Sequence, residues 1–436
     1  MIVNNIKTRF PVFKKNPSLV FLDTAASALK VDEMIDATNN CYTNEYANIH
    51  RGNYELSSKL TKKFEDARKK VADYLNTSEN NIIFVKSATE GINLIASCMS
   101  KRFLEDGDEI ILSYLEHHAN LIPWHLIEKK IKIIPLGLNE NSEINYDELN
   151  DKINSKTKLI TLTHMSNVTG SITNFDKVKE IAKKENIPLL LDGCQFAPHK
   201  KVDLKDLDPD FYVFSAHKMY GPSGLGVLYM KDKWIDEFTP YQGGGQMIHD
   251  VDIDKSTYAS GYEKFEAGTP PIAPVIGFSS SLNFINDIPS DERSDILGAF
   301  HKRIHGEDEN LSKELCKRWA IWEGQCSTLY PSKTVVDQFD KCSISLAKIE
   351  THFFQNNCFI EENEIIKNIN KIKNIRCEIV HGRYDIVCPF KQAYDLHSSY
   401  PNSRLNIIND AGHSLLEPGI SEKILHIFDN HEKLIS

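Results

Sequence analysis

No apolar run in this sequence approaches the ~18 residues that a membrane-spanning helix needs. The amino-terminal stretch MIVNNIKTRF also lacks the hydrophobic segment and the small-residue cleavage site of a secretion signal. Both absences argue against a membrane or secreted protein. The sequence therefore predicts a cytoplasmic protein without a membrane partner.

An excess of positive charge is also missing. The chain has 51 lysine and arginine residues against 61 aspartate and glutamate residues, which gives a net charge of −10. Nucleic acids and anionic membranes attract clustered lysine and arginine, whereas the lysines here are interspersed with acids. We therefore expect no nucleic-acid partner.

The cysteines show no paired spacing. None of the nine forms a CxxC motif, and their number is odd. A disulfide framework or a zinc site would use regular pairs, so these cysteines are interpreted as reduced thiols in small core positions. No metal site is predicted.

What the sequence does contain is a regular alternation of apolar runs and amphipathic stretches between Leu19 and about Tyr229. The runs are NIIFV, EIILS, KIIPL, KLITLTH, PLLLD and DFYVFS, separated by helix-like segments such as SSKLTKKFEDARKKVADYL. This alternation is typical of βαβ units and predicts an α/β fold with a mostly parallel sheet covered on both faces. Function in such sheets collects at the carboxyl ends of strands. The polar residues at these places are Ser87, His117, Asn167, Asp192 and Ser215.

A second region begins near NFINDIPSDERSD, residues 283–295, where the composition changes. The length of 436 residues and the 41% of hydrophobic residues suit two or three domains. We place the junction at about Asp287. Helix-patterned stretches continue to about Phe354, and a strand-like CEIVHG, a helix-like FKQAYDLHSSY, a strand-like RLNIIN and a last helix follow. This order resembles the closing βαβα of another α/β sheet.

Lys218 and Asp192 stand after two neighbouring predicted strands. Lys218 lies in SAHKMYGPSGLG, and Asp192 ends the run LLLD. A lysine at a strand end can form a Schiff base with an aldehyde, and a carboxylate on a neighbouring strand can keep a pyridine nitrogen protonated. Pyridoxal phosphate (PLP) requires both groups, so the pair predicts a PLP site.

Further residues suit the phosphate and the ring of that cofactor. The segment Ser87-Ala88-Thr89 precedes the helix-like EGINLIASC and offers backbone N–H groups and the Thr89 hydroxyl to a phosphate. Ser215 and His217 flank Lys218 and add donors.

His117, in EHHAN, can stack on a pyridine ring and transfer protons. The alternatives are a pair of surface histidines or metal ligands. No cluster of acids or cysteines completes a metal site in the sequence.

The region from about Phe21 to Ser281 resembles the large domain of the SUF-type cysteine desulfurases, PLP enzymes of the class V aminotransferase fold. The matching motifs occur in family order: FLDTAASA, NIHRGNYELS, EHHANLIPW, MSNVTGSI, LLLDGCQFAPH, SAHKMYGPSGLG, GGGQMI and FEAGTPP. The resemblance implies a PLP-dependent transferase fold of the aspartate aminotransferase type and L-cysteine as substrate. It also implies a homodimer and a sulfur-acceptor protein as partner.

The resemblance further implies a role for each matching residue. Lys218 would form the Schiff base, Asp192 would contact the pyridinium nitrogen, and Gln195 would contact the phenolic oxygen. His117 would stack on the ring, with Asn167 beside it. The remaining roles are phosphate binding by Thr89, Ser215 and His217, contact with the partner subunit's phosphate by Thr269, and lining of the substrate entrance by His50 and Arg51.

Two departures from the family stand out. Ala88 replaces the usual threonine, which removes a hydroxyl but keeps the backbone N–H, so weaker phosphate binding is expected. The Arg-x-Gly-His-His-Cys-like loop, whose cysteine accepts sulfur, has no counterpart, and neither does the arginine for the substrate carboxylate. None of the later cysteines lies in a matching context: Cys316, Cys326, Cys342, Cys358, Cys377 and Cys388.

The C-terminal part carries residues of a different chemistry. Asp385 follows a Gly-Arg pair in HGRYDIVCP, and His413 stands in DAGHS. Their order is that of the acid and base in an α/β-hydrolase triad. The alternative is that neither is catalytic, because an aspartate in a strand-end turn and a histidine after a glycine are both common.

Residues from about Ile288 to the end resemble proline iminopeptidases, serine exopeptidases that remove N-terminal proline. The matching segments are ERSDILGAFHKRIHG, WAIWEGQCSTLYP, AKIETHFF, IVHGRYDIVCP and INDAGHSLLEPG. The resemblance implies that Glu323 and Glu350 bind the substrate's ammonium group, with Asp385 and His413 as triad partners. A GxSxG nucleophile elbow is absent, and the nearest string, GFSSSL, lacks the second glycine, so Ser279 is not expected to be a nucleophile.

We therefore predict two domains. Residues 1–286 form a PLP-binding cysteine desulfurase-like large domain, and residues 287–436 form a helical cap segment with a partial α/β-hydrolase sheet. The predicted function is conversion of L-cysteine to L-alanine and enzyme-bound sulfur for iron–sulfur cluster or sulfur supply, impaired by the missing acceptor loop and small domain. The alternatives are proline iminopeptidase activity, which the absent elbow opposes, and an inactive product of gene fusion or assembly.

Overall fold

The structure is a computed structural model that describes residues 6–17, 19, 21, 23–288 and 295–430. The chain forms two compact units, Met1–Ser294 and Asp295–Ser436. Residues 289–294 lie outside the described ranges. The predicted boundary at residues 286 and 287 falls at the end of the helix Ile272–Asp287 and stays a prediction. Of the helices in the described ranges, none combines the length and the apolar character needed to cross a bilayer.

The first unit alternates strands and helices. Its strands are β1 Ile82–Val85, β2 Glu109–Ser113, β3 Lys132–Leu136, β4 Thr157–Thr163, β5 Leu189–Asp192, β6 Phe211–Ser215, β7 Gly226–Met230, β8 Ile248–Val251 and β9 Ser256–Tyr258. Its helices are α1 Pro11–Lys15, α2 Asp32–Asn40, α3 Glu55–Tyr74, α4 Ala88–Arg102, α5 Ile122–Leu126, α6 Asp147–Lys152, α7 Phe175–Lys184, α8 Phe196–His199, α9 Leu204–Leu207, α10 Asp232–Glu237 and α11 Ile272–Asp287.

Seven strands form one sheet in the order β1-β7-β6-β5-β4-β2-β3. The strands from β6 to β3 pair in parallel, whereas β7 is antiparallel to both of its neighbours, β1 and β6. All six predicted strands are confirmed. The sequence prediction missed β7, which returns after the GPSGLG turn and pairs between two strands distant in sequence.

Apolar side chains cover both faces of this sheet, because successive residues of a strand point to opposite sides. In β5, Leu189 and Leu191 join the cluster that includes α3 and α11, whereas Leu190 joins the cluster that includes α4 and α10. In β1, Phe84 belongs to the first of these clusters and Val85 to the second. The predicted doubly covered, mostly parallel sheet is therefore confirmed.

The second unit begins with helices and ends with a small sheet. Its helices are α12 Ile296–Ile304, α13 Glu309–Cys326, α14 Lys333–Lys341, α15 Ser343–Gln355, α16 Glu364–Lys367, α17 Phe390–Ser399 and α18 Pro418–Asp429. Its strands, β10 Cys377–Gly382 and β11 Ser403–Ile408, pair in parallel. The strand, helix, strand and helix at the C-terminus follow in the predicted order.

Candidate functional site

A cavity of about 560 Å³ lies at the carboxyl ends of β4, β5 and β6, the edge of the sheet where the polar residues were predicted to meet. Its volume is within the range of small-molecule sites. The predicted cofactor residues that line it are Ala88, Thr89, His117, Asn167, Asp192, Gln195, Ser215, His217 and Lys218. Residues separated by more than a hundred positions in sequence are thus brought to one place.

Lys218 ends a short helical turn, Ala216–Lys218, that directly follows β6. Its side chain is partly buried in the cavity wall. Within the described ranges, no hydrogen bond or ion pair engages its amine. An amine that lines a cavity without such a partner is available for reaction with an aldehyde.

Asp192 ends β5 and is buried, with 4% of its surface exposed. Its Oδ1 accepts a hydrogen bond from the backbone N–H of Cys194 at 3.0 Å. The intervening Gly193 has no room for a side chain, because a Cβ atom there would lie 2.2 Å from the ring of Tyr212. Close packing against Tyr212 therefore fixes the turn that presents this carboxylate.

The start of α4 forms another wall of the cavity. Ser87 caps the helix by accepting a hydrogen bond from the backbone N–H of Glu90, and Thr89 is exposed at the second helical position. The backbone N–H of Ala88 donates to Ser215 Oγ at 2.9 Å. The sequence prediction assigned the Ala88 N–H to the phosphate, and this bond occupies it. The hydroxyl hydrogen of Ser215 takes no part in the bond and can still be donated to a phosphate oxygen.

Gly226, the first residue of β7, allows this helix start to approach the sheet. A Cβ atom at Gly226 would lie 2.5 Å from the backbone carbon of Ser87 and 3.0 Å from the nitrogen of Ala88. Backbone atoms cannot move aside as a flexible side chain can. The glycine therefore sets the position of the predicted phosphate-binding turn.

His117 and Gln195 have defined partners at the cavity. His117 is exposed, and its Nδ1 accepts a hydrogen bond from the backbone N–H of Ala119 at 3.1 Å. Gln195 is buried, and its Nε2 donates to the carbonyl of Ala25 at 2.7 Å. Asn167 is exposed on the cavity wall.

The N-terminal segment 23–30 crosses the cavity, a role that the sequence analysis missed. His217 Nδ1 is 3.1 Å from Ser27 Oγ, and the carbonyl of His217 accepts hydrogen bonds from Ala28 N and Lys30 Nζ. Burial lowers the pKa of His217, and the charges of Lys218 and Lys30 lower it further. The motif DTAASALK was the available signal, but without coordinates nothing indicated its contact with the lysine turn.

Three predicted residues of this unit do not line the cavity. Thr269 lies in the loop between the turn Gly261–Phe265 and α11. His50 has a positive φ of 67°, and its Nε2 is 2.8 Å from Glu65 Oε1, while Arg51 is exposed. Their assignments to a partner subunit's phosphate and to the substrate entrance remain predictions.

A larger cavity, of about 1010 Å³, lies at the amino ends of the strands and contains none of the predicted site residues. Several of its lysines are already paired with acids. Lys183 and Lys231 each lie 2.7 Å from a carboxylate oxygen of Asp208. We therefore assign the chemistry to the smaller cavity.

In the second unit, the predicted acid and base form a hydrogen-bonded pair. His413 Nδ1 is 2.8 Å from Asp385 Oδ2, and Asp385 Oδ1 accepts hydrogen bonds from the backbone N–H groups of Val387 and Cys388. Gly382 allows the segment that carries Asp385 to approach the segment that carries His413, since a Cβ atom at Gly382 would lie 1.9 Å from the carbonyl oxygen of Gly412. The local arrangement is that of an acid orienting a base.

The predicted ammonium-binding carboxylates lie near this pair. Burial raises the pKa of Glu323 to about 7, the charge of Glu350 raises it further, and the charge of His413 lowers it. Burial likewise raises the pKa of Glu350, although its Oε2 accepts a hydrogen bond from Trp319 Nε1 at 2.6 Å. Two carboxylates close to one another and to an imidazole form an acidic cluster suited to a cation.

This cluster predicts how stability depends on pH. A carboxyl whose pKa is raised on folding stabilises the protein fully below its unfolded pKa, about 4.3, and the contribution is lost as the pH rises through about 7. Glu323→Gln should therefore raise the unfolding temperature of the second unit at pH 8 by roughly 3–6 °C and change it little at pH 4. Calorimetry at both pH values measures this. The exposed Glu309 on the same helix supplies the control Glu309→Gln, and an equal shift at both pH values would contradict the assignment.

A nucleophile for this pair is not evident. Ser279 lies inside α11 of the first unit, and its hydroxyl donates to the carbonyl of Ile276 at 2.8 Å, so it does not form a strand-to-helix elbow. In the described part of the chain, no group of three or more His, Cys, Asp or Glu side chains is arranged to hold a metal ion.

The first cavity fits PLP by the chemistry of its donors. An amine without a hydrogen-bond partner, a buried carboxylate, an exposed imidazole and a helix N-terminus with a serine and a threonine hydroxyl all face one space. These are the groups that an aldehyde, a pyridine nitrogen, an aromatic ring and a phosphate need.

Comparison with known proteins agrees with this donor set. Residues 20–312 match the family model of the class-V aminotransferases, and this match extends past the predicted junction at residue 286. The chain is 38% identical over 293 residues to a cysteine desulfurase of Serratia proteamaculans, covering 66% of this chain and 72% of that protein. It is 40% identical over 271 residues to the cysteine desulfurase CsdA of Escherichia coli, covering 62% and 68%.

Solved structures give the same result for the fold. The Escherichia coli CsdA structure aligns with a TM-score of 0.62 and 34% identity, covering 74% of this chain and 76% of that chain. The apo cysteine desulfurase of Thermococcus onnurineus aligns with a TM-score of 0.63 and 28% identity, covering 76% and 79%.

The chain belongs to the class-V aminotransferase family. Enzymes of this family depend on PLP, and the relatives named above are cysteine desulfurases within it.

Proposed function

We propose that the chain is a PLP-dependent cysteine desulfurase-type enzyme whose substrate is L-cysteine. The observation that carries this proposal is the cavity at the carboxyl ends of β4 to β6, where Lys218 and Asp192 meet with seven further predicted cofactor residues. The similarity to cysteine desulfurases supports L-cysteine as the substrate. The products would be L-alanine and sulfur carried by an acceptor thiol.

The residues have separate tasks in this reaction. Bound PLP supplies an electron sink for the charge that develops at the substrate α-carbon. The Lys218 amine would hold the cofactor covalently and, after the substrate amine displaces it, would take the α-proton. Asp192 would keep the proton on the ring nitrogen, because a buried carboxylate stabilises a neighbouring cation. His117 would face the ring, and Thr89 and Ser215 would hold the phosphate.

The assembly and partners of the enzyme also belong to this proposal. A homodimer would place Thr269 of one subunit at the phosphate of the other, and His50 and Arg51 would border the entrance for substrate. Thr269, His50 and Arg51 lie outside the cavity in the single chain, which is compatible with roles at a subunit boundary. A sulfur-acceptor protein would receive the product sulfur.

Sulfur transfer is proposed to be the impaired step. The sequence contains no match to the acceptor-cysteine loop of the family. Burial raises the pKa of Cys316, Cys326 and Cys377, which leaves less of the reactive thiolate at neutral pH. These cysteines are therefore poor substitutes for the missing nucleophile.

The proposed function is tested by adding PLP to the purified protein, supplying L-cysteine and quantifying alanine by chromatography. A change in the visible spectrum of the bound cofactor is expected when L-cysteine is added, with alanine well below one equivalent per active site, because alanine forms only when a thiolate takes the sulfur from the substrate and the acceptor loop is missing. Absence of PLP binding, or binding without any response to L-cysteine, would contradict the proposal.

For the second unit, we propose an origin in the C-terminal part of a proline iminopeptidase-like α/β-hydrolase, with a helical cap segment before the partial sheet. The observation that favours this is the Asp385–His413 hydrogen bond beside the Glu323 and Glu350 carboxylates. Glu323 and Glu350 would bind the ammonium group of a peptide N-terminus. The domain division at residues 286 and 287 is part of the same proposal.

This unit is expected to be inactive as a peptidase. Loss of a triad nucleophile costs several powers of ten in rate even where the other members remain. Hydrolysis of a proline-amide substrate should therefore stay at background, and His413→Ala should change nothing measurable. A rate well above background that falls in His413→Ala would contradict this and would indicate an unrecognised nucleophile.

A further inference from the structure

One acidic side chain near the cofactor cavity has no task in the reaction described above. Glu116 directly precedes His117, in the loop between Ser113 at the end of β2 and the helical turn His118–Asn120. Glu116 Oε1 accepts a hydrogen bond from Ser113 Oγ at 2.6 Å, and Oε2 accepts one from Asn120 Nδ2 at 2.6 Å. The carboxylate therefore bridges the two ends of the loop that carries His117.

Asn120 also connects this loop to the sheet by a hydrogen bond. Asn120 is fully buried, and its Oδ1 accepts a hydrogen bond from Thr161 Oγ1 of β4 at 2.6 Å. The backbone amide of Thr163, at the end of β4, lowers the pKa of the Glu116 carboxyl, which places this end of the strand near it. Thr163 lies opposite Asp192 in the register of β4 and β5. Glu116 thus connects the His117 loop to the strand next to Asp192.

A glutamate at this place has a cost that stability alone does not explain. Burial raises the pKa of Glu116 to about 7 against the lowering effects of its hydrogen bonds to Ser113 and Asn120 and of the Thr163 amide, and the charge of Asp192 raises it further. Two neighbouring carboxylates in a partly buried site oppose each other's ionisation. A neutral amide would avoid this penalty but would present a donor to one of the two donors, Ser113 and Asn120, so the bridge requires the carboxylate.

We propose that Glu116 is a positioning residue of the cofactor site, which keeps His117 at a fixed separation from Asp192 across the cavity. This inference rests on the proposed function and adds to it a residue that contacts neither the cofactor nor the substrate. Its effect passes through the hydrogen bonds to Ser113 and Asn120, and from Asn120 to Thr161 of β4.

The first variant is Glu116→Gln, which keeps the shape but turns one acceptor into a donor. Since the carboxylate accepts from both Ser113 and Asn120, at least one of these bonds is lost. We expect the dissociation constant for PLP, measured by titrating the apo protein, to rise about tenfold, the size of one charge-assisted hydrogen bond. Circular dichroism of the visible PLP band, which reports the seating of the ring, should weaken.

The double variant Glu116→Gln/Asn120→Asp exchanges the amide and the carboxylate. The pair can then bond in the reverse direction, and the new carboxylate still accepts from Thr161. We expect PLP affinity to return to within about threefold of the wild type, together with the visible circular dichroism.

Glu109, on the strand β2 that precedes the Glu116 loop, supplies a matched control. It is buried, and its Oε2 accepts a hydrogen bond from Asn154 Nδ2 at 2.7 Å, but it lies at the opposite end of β2 from the cavity. Glu109→Gln therefore removes a comparable bond away from the site. Its PLP affinity and visible circular dichroism should equal those of the wild type, whatever happens to its thermal stability.

Wild-type PLP binding and circular dichroism in Glu116→Gln would overturn the inference, and so would equal weakening in Glu109→Gln or no recovery in the double variant. If Glu116→Gln does not fold, Glu116→Asp keeps the charge but shortens the reach, and unchanged affinity there would also contradict it. A wild-type protein that binds no PLP would overturn the proposed function as well. Normal wild-type binding with an unaffected Glu116→Gln would overturn only the present inference.

Discussion

Lys218→Ala is expected to abolish the visible absorbance band that the protein acquires on binding PLP. The amine of Lys218 lines the same cavity as the groups predicted to bind the phosphate, and it is the group that would join the cofactor covalently. Without it, PLP can still occupy the site through its phosphate and ring, but as a free aldehyde. Absorbance spectra of both proteins with excess PLP, after removal of unbound cofactor, measure the difference.

The matched control is Lys233→Ala, which removes an exposed lysine at the distant cavity near the amino ends of the strands. Its spectrum should equal that of the wild type. A wild-type protein without the band, or a Lys218→Ala protein that retains it, would show that the covalent cofactor assignment is wrong.

The second large effect concerns turnover with L-cysteine. The wild-type protein with bound PLP should change its visible spectrum when L-cysteine is added, yet release sulfide at a rate at least about a hundredfold below that of a desulfurase with its acceptor loop. The physical reason is that the first chemical steps use Lys218 and Asp192, whereas sulfur transfer needs a thiolate nucleophile that the sequence does not supply.

Escherichia coli CsdA, assayed in parallel with the same thiol reductant, provides the reference rate. The variant Lys218→Ala provides the background. Robust production of alanine and sulfide that depends on any cysteine of the second unit would contradict the proposed loss of sulfur transfer, and alanine-scanning of these cysteines would identify the acceptor.

The parallel part of the sheet could be predicted because its strands are buried on both faces and read as short apolar runs. The run PLLLD became β5, with Asp192 at its end, and DFYVFS became β6, with Ser215 at its end. Since the carboxyl ends of parallel strands meet at one edge, the convergence of these residues with Lys218 follows from the pattern. The cavity confirms that they lie together.

The position of β7 could not be predicted in the same way. Gly226–Met230 pairs between β1 and β6, and no local pattern indicates which distant strands a strand will join. The contacts of segment 23–30 could not be predicted for the same reason. The hydrogen bond from Lys30 Nζ to the His217 carbonyl joins residues far apart in sequence. Both features depend on long-range packing.

In the second unit, the order of elements followed from the alternation of apolar and amphipathic stretches, and the Asp385–His413 pair followed from their motifs. The raised pKa of Glu323 could not be read from the sequence, because it depends on burial and on the approach of Glu350 from another helix. The order of the motifs thus identified the candidate acid, base and carboxylates, whereas their pKa shifts depend on contacts that exist only in the folded chain.

The most direct test of the central claim is to reduce the PLP-bound protein with borohydride and locate the attached pyridoxyl group by peptide mass spectrometry. Reduction makes the covalent bond between the cofactor and its lysine permanent. The account predicts a single modified peptide that contains Lys218, at close to one group per chain. Modification of another lysine, or its distribution over several surface lysines, would contradict the assignment of the cavity as the PLP site.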